Sequence, residues 1–523
     1  MQIYSFFKTH KYKFLFYLIS IIIIIVLGLI YWHISSSYVF DSDNAAPILE
    51  AHSILKGNIK LKGWNLSSDN FYTIDLPFYV IAESITGIKS YLPALVPTII
   101  YILTIISGLY LSTINLLKKE KIYSLLITFG LIATAPIFFL TQTLTGPDHV
   151  GTILFILISF ILIFQILKKG KYYYYVIPFF ILSFMYLFGD PLSRYIGIIP
   201  IIIFSIFFYF YEETENKISY ILIGTSSILA LILSFIIRNN VIKLGFFNLV
   251  KIPNTFVNFP QLTTHIYYLF YSLLKLQGAY FFGESITAKS TLLDLFRFII
   301  LILILFTIYL FFKKSFKNHI EIKNIDKLNF LLVTAFIFNI LAFILAGITV
   351  NAYTSRYLIF LPILGGLILA RYLSPYIVKH KIYTILTILI VLSLFFVLIK
   401  KSYYIHKPYN IPQQQVGIFL EQHNLKYGYG SYWNSATTTL YSENKVKVRQ
   451  VLSYNNKLYP YLWLSNYLWY KKNANFVIFD NQKTKIITKK IAINFFGKPN
   501  KEYKVDGYTI LTWNYNISKK FNL

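Results

Sequence analysis

The sequence predicts an α-helical polytopic membrane protein of about eleven transmembrane helices with a C-terminal extracytoplasmic α/β domain. Three observations predict it. Of 523 residues, 56% are hydrophobic and only 13% charged, roughly half the charged share of a soluble domain. The apolar residues fall into uninterrupted runs close to the ~20 needed to cross a ~30 Å hydrocarbon layer. After residue 399 those runs shorten, and Asn, Gln, Lys and Tyr take over.

In chain order, the predicted spans lie near 14–34, 92–117, 122–142, 150–167, 172–188, 196–211, 218–237, 291–312, 328–350, 357–373 and 382–399. The first follows Lys8, Lys11 and Lys13, is too long for a signal-peptide core and has no small-residue cleavage site behind it, so it reads as an uncleaved anchor. With the amino terminus cytoplasmic, four short cytoplasmic loops are basic: Lys118–Lys121, Lys168–Lys171, Lys313–Lys314 and Lys379–Lys381. The acidic loop Glu212–Glu215 dissents, but acidic residues weigh little in that rule. An odd number of spans puts the tail outside.

Two domains follow: a transmembrane part over 1–399, with long outer loops at 35–91 and 238–290, and a soluble part over 400–523. The run Leu76 to Ile85 is too short to cross, and Ile266 to Leu274 is rich in aromatics; both suit helices lying at the interface. In the tail, expected helices at Gln413–Gln422, Ala436–Ser442 and Leu458–Tyr470 alternate with strands at Lys445–Val451, Phe476–Phe479 and Tyr508–Trp513. Formal charge is +28 overall. The tail alone has 19 Lys/Arg against 5 Asp/Glu, half of that excess. A polyanion ligand and a merely solvated Lys-rich surface both fit. Contact with anionic membrane lipid is expected and nucleic acid is not. The absence of cysteine excludes disulfides, zinc-thiolate sites and thiol catalysis.

Ionised side chains near membrane depth are costly and default to functional hypotheses. Here they gather at outer span ends: Asp41 and Asp43, Asp148 and His149, Asp190 and Arg194, and Arg356. A guanidinium fork can hold phosphate oxygens and steady a departing phosphate, while a neighbouring carboxylate can take a proton from an attacking hydroxyl. Together they suit group transfer from a lipid phosphate outside the cytoplasmic membrane, where no nucleotide is supplied.

The segment Phe40-Asp41-Ser42-Asp43-Asn44-Ala45-Ala46 followed by Glu50-Ala51-His52 and Gly57-Asn58 resembles the first outer loop of the GT-C superfamily of polyprenyl-phosphate-sugar-dependent glycosyltransferases, which includes protein O-mannosyltransferases and lipid A aminoarabinose transferases. Asp75-Leu76-Pro77-Phe78-Tyr79, Gly146-Pro147-Asp148-His149-Val150, Gly189-Asp190-Pro191-Leu192-Ser193-Arg194-Tyr195 and Ser355-Arg356-Tyr357 are similar to later motifs of that family, in order. The resemblance implies an inverting displacement in which Asp43, with Asp41 beside it, is the base and Arg194 or Arg356 holds the polyprenyl phosphate. It implies a glycan, lipid or protein acceptor and a place in the bacterial inner membrane. Asp148 and His149 would orient the acceptor or help bind a divalent cation such as Mg²⁺ or Mn²⁺, although some members of the family do without a metal.

Plainer roles stand beside these. Asp41 and Asp43 suit helix capping, and Asp69 and Asp75 suit turns, with Asp69 also a candidate substrate contact. Arg194 and Arg356 suit interfacial anchoring as well as substrate, Asp190 is a substrate-binding candidate, and His149 suits a structural hydrogen bond. Trp64 could stack on a sugar or simply mark a membrane boundary. Tyr432-Trp433-Asn434 could touch a glycan only if the tail faces the cavity. Competing functions are a lipid-linked saccharide flippase, which more often shows inverted repeats and midplane helix breaks, and a non-catalytic envelope-assembly scaffold.

Overall fold

The computed structural model describes residues 2–168, 172–212, 217–250, 255–316, 325–349, 351–480 and 487–521. Parts of two expected cytoplasmic loops, 169–171 and 213–216, lie outside the described residues. The helices of the membrane part are α1 (Gln2–Ser36), α2 (Ser42–Leu55), α3 (Leu76–Thr86), α4 (Leu92–Ser112), α5 (Lys118–Thr128), α6 (Ile137–Leu144), α7 (Val150–Ile166), α8 (Tyr172–Gly189), α9 (Ile199–Tyr211), α10 (Lys217–Asn240), α11 (Leu262–Gln277), α12 (Lys289–Phe316), α13 (Lys327–Leu345), α14 (Phe360–Ile377) and α15 (Lys381–Tyr403).

Among the described residues, eight helices are long and apolar enough to cross a membrane, and the α5–α6 pair makes a ninth if it is one span. The apolar helices α7 and α8 occupy two further expected places; the 17 residues of α7 rise about 26 Å, near the lower limit for a span. The expected span at 122–142 is broken in the structure, bent by 78° between Ala133 and Ile137. Pro136 lacks an amide and pushes Ala135 away from helical backbone, and a π-turn at Phe129–Ala133 precedes the break. Carbonyls around the break are caught from other helices. Tyr31 donates to the Ala133 carbonyl at 2.5 Å, Tyr101 to Ile132 at 2.7 Å, and Arg297 Nη2 to Thr134 at 2.9 Å. In a hydrocarbon layer no water could satisfy them.

The basic connections meet at one end of the bundle. Arg371 donates to Asp326 (2.7 Å), to Asn329 (3.0 Å) and to the carbonyls of Ser112 and Ile114 (3.2 and 2.7 Å), drawing the ends of α4, α13 and α14 together. Lys327 pairs with Glu212 at 2.5 Å, so α9 joins the same end.

At the other end, three segments far apart in sequence share one small sheet: β1 (Trp64–Leu66), β2 (Asn248–Leu249) and, from the tail, β6 (Ser465–Asn466). β1 runs parallel to β2 and antiparallel to β6. Gly63, at φ 88°, permits the approach, because a Cβ there would come within 2.7 Å of Asn466 Oδ1. As expected, the short apolar run forms the separate helix α3. The aromatic run forms α11, which buries His265, Leu269, Ser272 and Leu273 while leaving Tyr267 and Phe270 exposed.

The tail holds a six-stranded sheet in the order β5-β4-β3-β7-β9-β8, with β3 (Tyr427–Gly430), β4 (Lys447–Tyr454), β5 (Lys457–Pro460), β7 (Phe476–Asp480), β8 (Lys501–Val505) and β9 (Tyr508–Thr512). Its parallel centre, β4-β3-β7, is flanked by antiparallel hairpins. Tyr429, Val451, Val477 and Leu511 face α18 (Lys489–Phe496), whereas Val448, Phe476, Ile478 and Ile510 face α16 (Pro412–Gln422). Helix α17 (Tyr432–Tyr441) lies between the sheet and α2, and Asn434 through Leu440 are all buried. The expected helix at Leu458–Tyr470 is instead two strands and a 3-10 turn. Asn455 and Asn456, both left-handed (φ 47° and 60°), reverse the chain into a hairpin. Asp506-Gly507 does the same between β8 and β9.

Replacing Arg371 by Met should lower stability by roughly 2–3 kcal/mol, since several charge-assisted hydrogen bonds go at once. Lys should restore only part, because a point charge cannot serve carbonyl and carboxylate together. Thermal unfolding of the detergent-solubilised protein reads both.

Candidate active site

Asp41 caps α2: its Oδ1 accepts from the amides of Asp43 (2.9 Å) and Asn44 (3.1 Å), and its own amide donates to Asn44 Oδ1 (3.0 Å). Capping is therefore the local role of Asp41. The residue lies half-buried, and burial followed by the neighbouring Asp43 charge pushes its carboxyl up to about 6. Asp43, one step into the helix, is exposed and accepts a hydrogen bond from the Tyr432 hydroxyl of the tail. Ser42 donates to the Tyr432 carbonyl. Both ends of Tyr432 are thereby tied to the start of α2.

The turn before α7 is clamped beside this helix, because Asn44 donates to the Thr145 carbonyl and Tyr79 to the Gly146 carbonyl (3.1 Å). His149 then takes left-handed backbone at φ 64°, which costs a non-glycine residue roughly 1–2 kcal/mol. Its ring meets Phe71 and Tyr357 at centroid distances of 5.7 and 5.1 Å. Its Nδ1 donates to Asp190 Oδ2 at 2.7 Å, while Thr152 donates to the same oxygen at 2.6 Å and the Leu192 amide to Oδ1 at 2.9 Å. Burial pushes the imidazole down, but Asp190, Asp148 and Asp69 outweigh it and hold His149 at about 9. Burial opposes ionisation of Asp190 too, yet His149 and the donors keep that carboxyl below its ordinary value.

Asp148 reaches Arg356 (Oδ1 to Nε 3.8 Å) and His149 Nε2 (3.9 Å). Burial lifts its carboxyl, and Arg356 and His149 resist that lift. Arg356 is 46% exposed in its side chain, stacks on Tyr357 at 5.3 Å and donates from Nη2 to the Tyr357 hydroxyl at 3.4 Å. Loop 35–91 returns to this cluster: Asn70 donates to the Phe188 carbonyl (3.0 Å) and the Phe71 amide to the Gly189 carbonyl (3.0 Å). Asp69 thus sits where it feels Asp190, His149 and Arg356; burial leads in raising its carboxyl. Asp75 lies against the Gly151 amide without completing a hydrogen bond, and burial lifts it to about 7.

The structure thus brings Asp41, Asp43, Asp69, Asp148, His149, Asp190 and Arg356 together at the end of the bundle opposite Arg371. Arg194 stands one turn beyond Asp190, with a buried Nε that has no hydrogen-bond partner, beside Arg238. Trp64 does not join them. It is 1% exposed, donates to Ser53 Oγ and packs edge-on against Trp469, so its ring has no face free for a sugar. Among the described residues no three His, Asp or Glu side chains converge as metal ligands. Asp190 is committed to His149 and Thr152.

No family model matches the chain, and no curated protein matches it. Six chains of known structure do. One is ArnT from Cupriavidus metallidurans in the apo state, at 8% sequence identity and a TM-score of 0.40, over 94% of this chain and 97% of that one. A likeness at that level bears on neither reaction nor substrate.

Sequence reasoning missed Arg238, which donates to the carbonyls of Phe188 (2.5 Å) and Ser68 (2.7 Å). A charge in the last turn of an apolar helix was the available signal. Thr152 carried none beyond its place three residues after His149.

His149 binds its proton more tightly when folded and Asp190 less tightly. Their pairing therefore stabilises the fold fully between about pH 4 and pH 6.5, and the contribution falls away as pH rises through about 9. His149→Gln should lower the unfolding temperature most near pH 5–6, and the gap from wild type should narrow above about pH 9. Asp75 has the opposite consequence, since its raised carboxyl makes the native state lose stability as pH climbs from about 4 to about 7. Asp75→Asn should raise the unfolding temperature at pH 8 and leave it nearly unchanged at pH 4.

Proposed function

We propose that this chain is a membrane glycosyltransferase, moving a sugar from a polyprenyl-phosphate carrier to a glycan, lipid or protein acceptor at the outer face of the bacterial cytoplasmic membrane. The observation that carries the reading is the continuity of opposite chemistries. An exposed carboxylate, Asp43, stands at one rim of a cluster whose other side offers the open guanidinium of Arg356.

Asp43 rather than Asp41 is the base in this scheme. Asp41 spends its carboxylate on two helix amides, whereas Asp43 accepts only the Tyr432 hydroxyl among the described contacts and keeps an oxygen for the acceptor. The acceptor hydroxyl passes its proton to Asp43 as its oxygen forms a bond to the anomeric carbon. The bond from that carbon to the phosphate oxygen breaks, and its electron pair leaves on the phosphate. Arg356, with Arg194 and its unpartnered Nε, stabilises that charge. Attack opposite the leaving group inverts the anomeric configuration. Asp148 holds Arg356 from one side, and His149 with Asp190 fixes Asp148 in turn.

Asp43→Asn should cut transfer by about 10²–10⁴-fold, the range for a positioned base. Tyr432→Phe should cut it by about tenfold, the worth of one hydrogen bond to a charged group, while the unfolding temperature barely moves. Mass spectrometry of envelope glycolipids and glycans from a deletion strain, complemented with wild type, Asp43→Asn or Tyr432→Phe, measures both. One sugar should vanish on deletion and return with wild type but not with Asp43→Asn. An unchanged glycan profile in the deletion strain rejects the reading.

A further inference from the structure

The transfer scheme uses Tyr432 of the tail and leaves the two aromatic rings beside it unassigned. Trp433 meets the Tyr432 ring edge-on at a centroid distance of 4.9 Å, and Tyr461 meets it edge-on at 5.4 Å. The Tyr432 hydroxyl donates to Asp43, so both rings stand one side chain away from that carboxylate. Tyr461 is close enough to feel it: burial first, then the Asp43 charge, raises its hydroxyl above the ordinary tyrosine value.

Trp433 is 44% exposed. A lone exposed aromatic residue is ordinary, but this one is held from both sides. The residue before it is tied to α2, where Ser42 donates to the Tyr432 carbonyl. The residue after it, Asn434, donates to Ser431 Oγ at 2.9 Å and accepts from the Tyr508 hydroxyl of β9 at 2.8 Å. Asn434 through Leu440 are buried, so Trp433 is where a fixed helix meets solvent, and the neighbouring Asp43 is exposed as well. Tyr461 is half-buried. Its carbonyl accepts from Ser465 and Tyr470 at 3.2 and 3.1 Å, whereas its hydroxyl has no partner among the described contacts.

This rim discriminates between acceptor classes by its chemistry. A sugar ring has C–H bonds on its faces and hydroxyls around its edge. The C–H face suits the electron-rich face of an indole, and the hydroxyls need polar partners beside it. Trp433 supplies the ring, Tyr461 a hydroxyl and Asp43 a carboxylate. An acyl chain has no use for the polar groups set between the rings, and a peptide draws its affinity from backbone hydrogen bonds that ring faces do not supply.

We propose that Trp433 and Tyr461 bind the acceptor and that the acceptor is a saccharide, either a lipid-free glycan or the sugar headgroup of a glycolipid. The acceptor ring lies on Trp433, one of its hydroxyls meets Tyr461, and another reaches Asp43. This inference rests on the transferase reading above and assigns its acceptor to the tail.

The test starts in the deletion strain complemented with the full chain. Trp433→Ala should transfer about fivefold to tenfold less than wild type, with an unchanged unfolding temperature because the ring is exposed. Trp433→Phe keeps a ring and should restore most of the loss. For binding, the full-length Asp43→Asn protein in neutral detergent is titrated with oligosaccharide from the envelope of the deletion strain, one portion released from glycolipids and one from lipid-free glycans. One portion should bind saturably and thereby name the source. Adding Trp433→Ala should weaken that binding by about fivefold or more, and adding Tyr461→Phe, which keeps its ring, should weaken it severalfold. No bilayer is present, so a tryptophan that serves only as a membrane anchor would leave binding unchanged. Full transfer by Trp433→Ala, equal binding by both variants, or binding of neither portion overturns the saccharide site while the transferase reading stands. A deletion strain with no missing sugar rejects the transferase reading first, and the acceptor assignment with it.

Discussion

Asp190 accepts three hydrogen bonds, from His149, Thr152 and the Leu192 amide, and the end of the bundle that holds the candidate site is organised around it. The carboxylate joins the start of α7 to the end of α8. It also holds His149 charged in a buried setting where an unpaired imidazole would be neutral. With His149 fixed, Asp148 projects toward Arg356 rather than into the bundle. Loop 35–91 is strapped across the same corner by Asn70 and Phe71, which brings Asp69 into the cluster. Loss of the Asp190 carboxylate would leave His149 a buried neutral imidazole on left-handed backbone, without the hydrogen bond that joins α7 to α8.

The bent α5–α6 pair shows a different constraint at work. A helix broken at membrane depth exposes carbonyls to a medium without hydrogen-bond donors. Here Tyr31, Tyr101 and Arg297 arrive from three other helices to meet the carbonyls around the bend. The break is therefore a junction rather than a defect, and Arg297 is buried as a structural donor.

The tail is part of the same machine by contact. Small and polar residues along α17 allow close packing between α2 and the sheet, and their hydroxyls are satisfied by carbonyls of the same helix one turn back. Tyr432 reaches Asp43, Lys89 pairs with Glu443 at 2.9 Å, and β6 extends the small three-stranded sheet.

Composition and run length made the membrane architecture legible, because hydrocarbon admits few alternatives to apolar helices. The one-sided position of Asp41, Asp43, Asp148, Asp190 and Arg356 could be read for the same reason: each terminates an apolar run. The Asn-Asn and Asp-Gly hairpins were also written in the sequence, but aromatic residues around Leu458 match helix and strand equally well, and only pairing with β4 decides between them. Which carboxylate keeps a free oxygen, why Trp64 is enclosed, and how Tyr432 comes to Asp43 across 389 positions were settled by tertiary structure. Local spacing fixes a residue's own helix and depth; burial, pairing and the direction of a side chain depend on segments that meet only after the chain has folded.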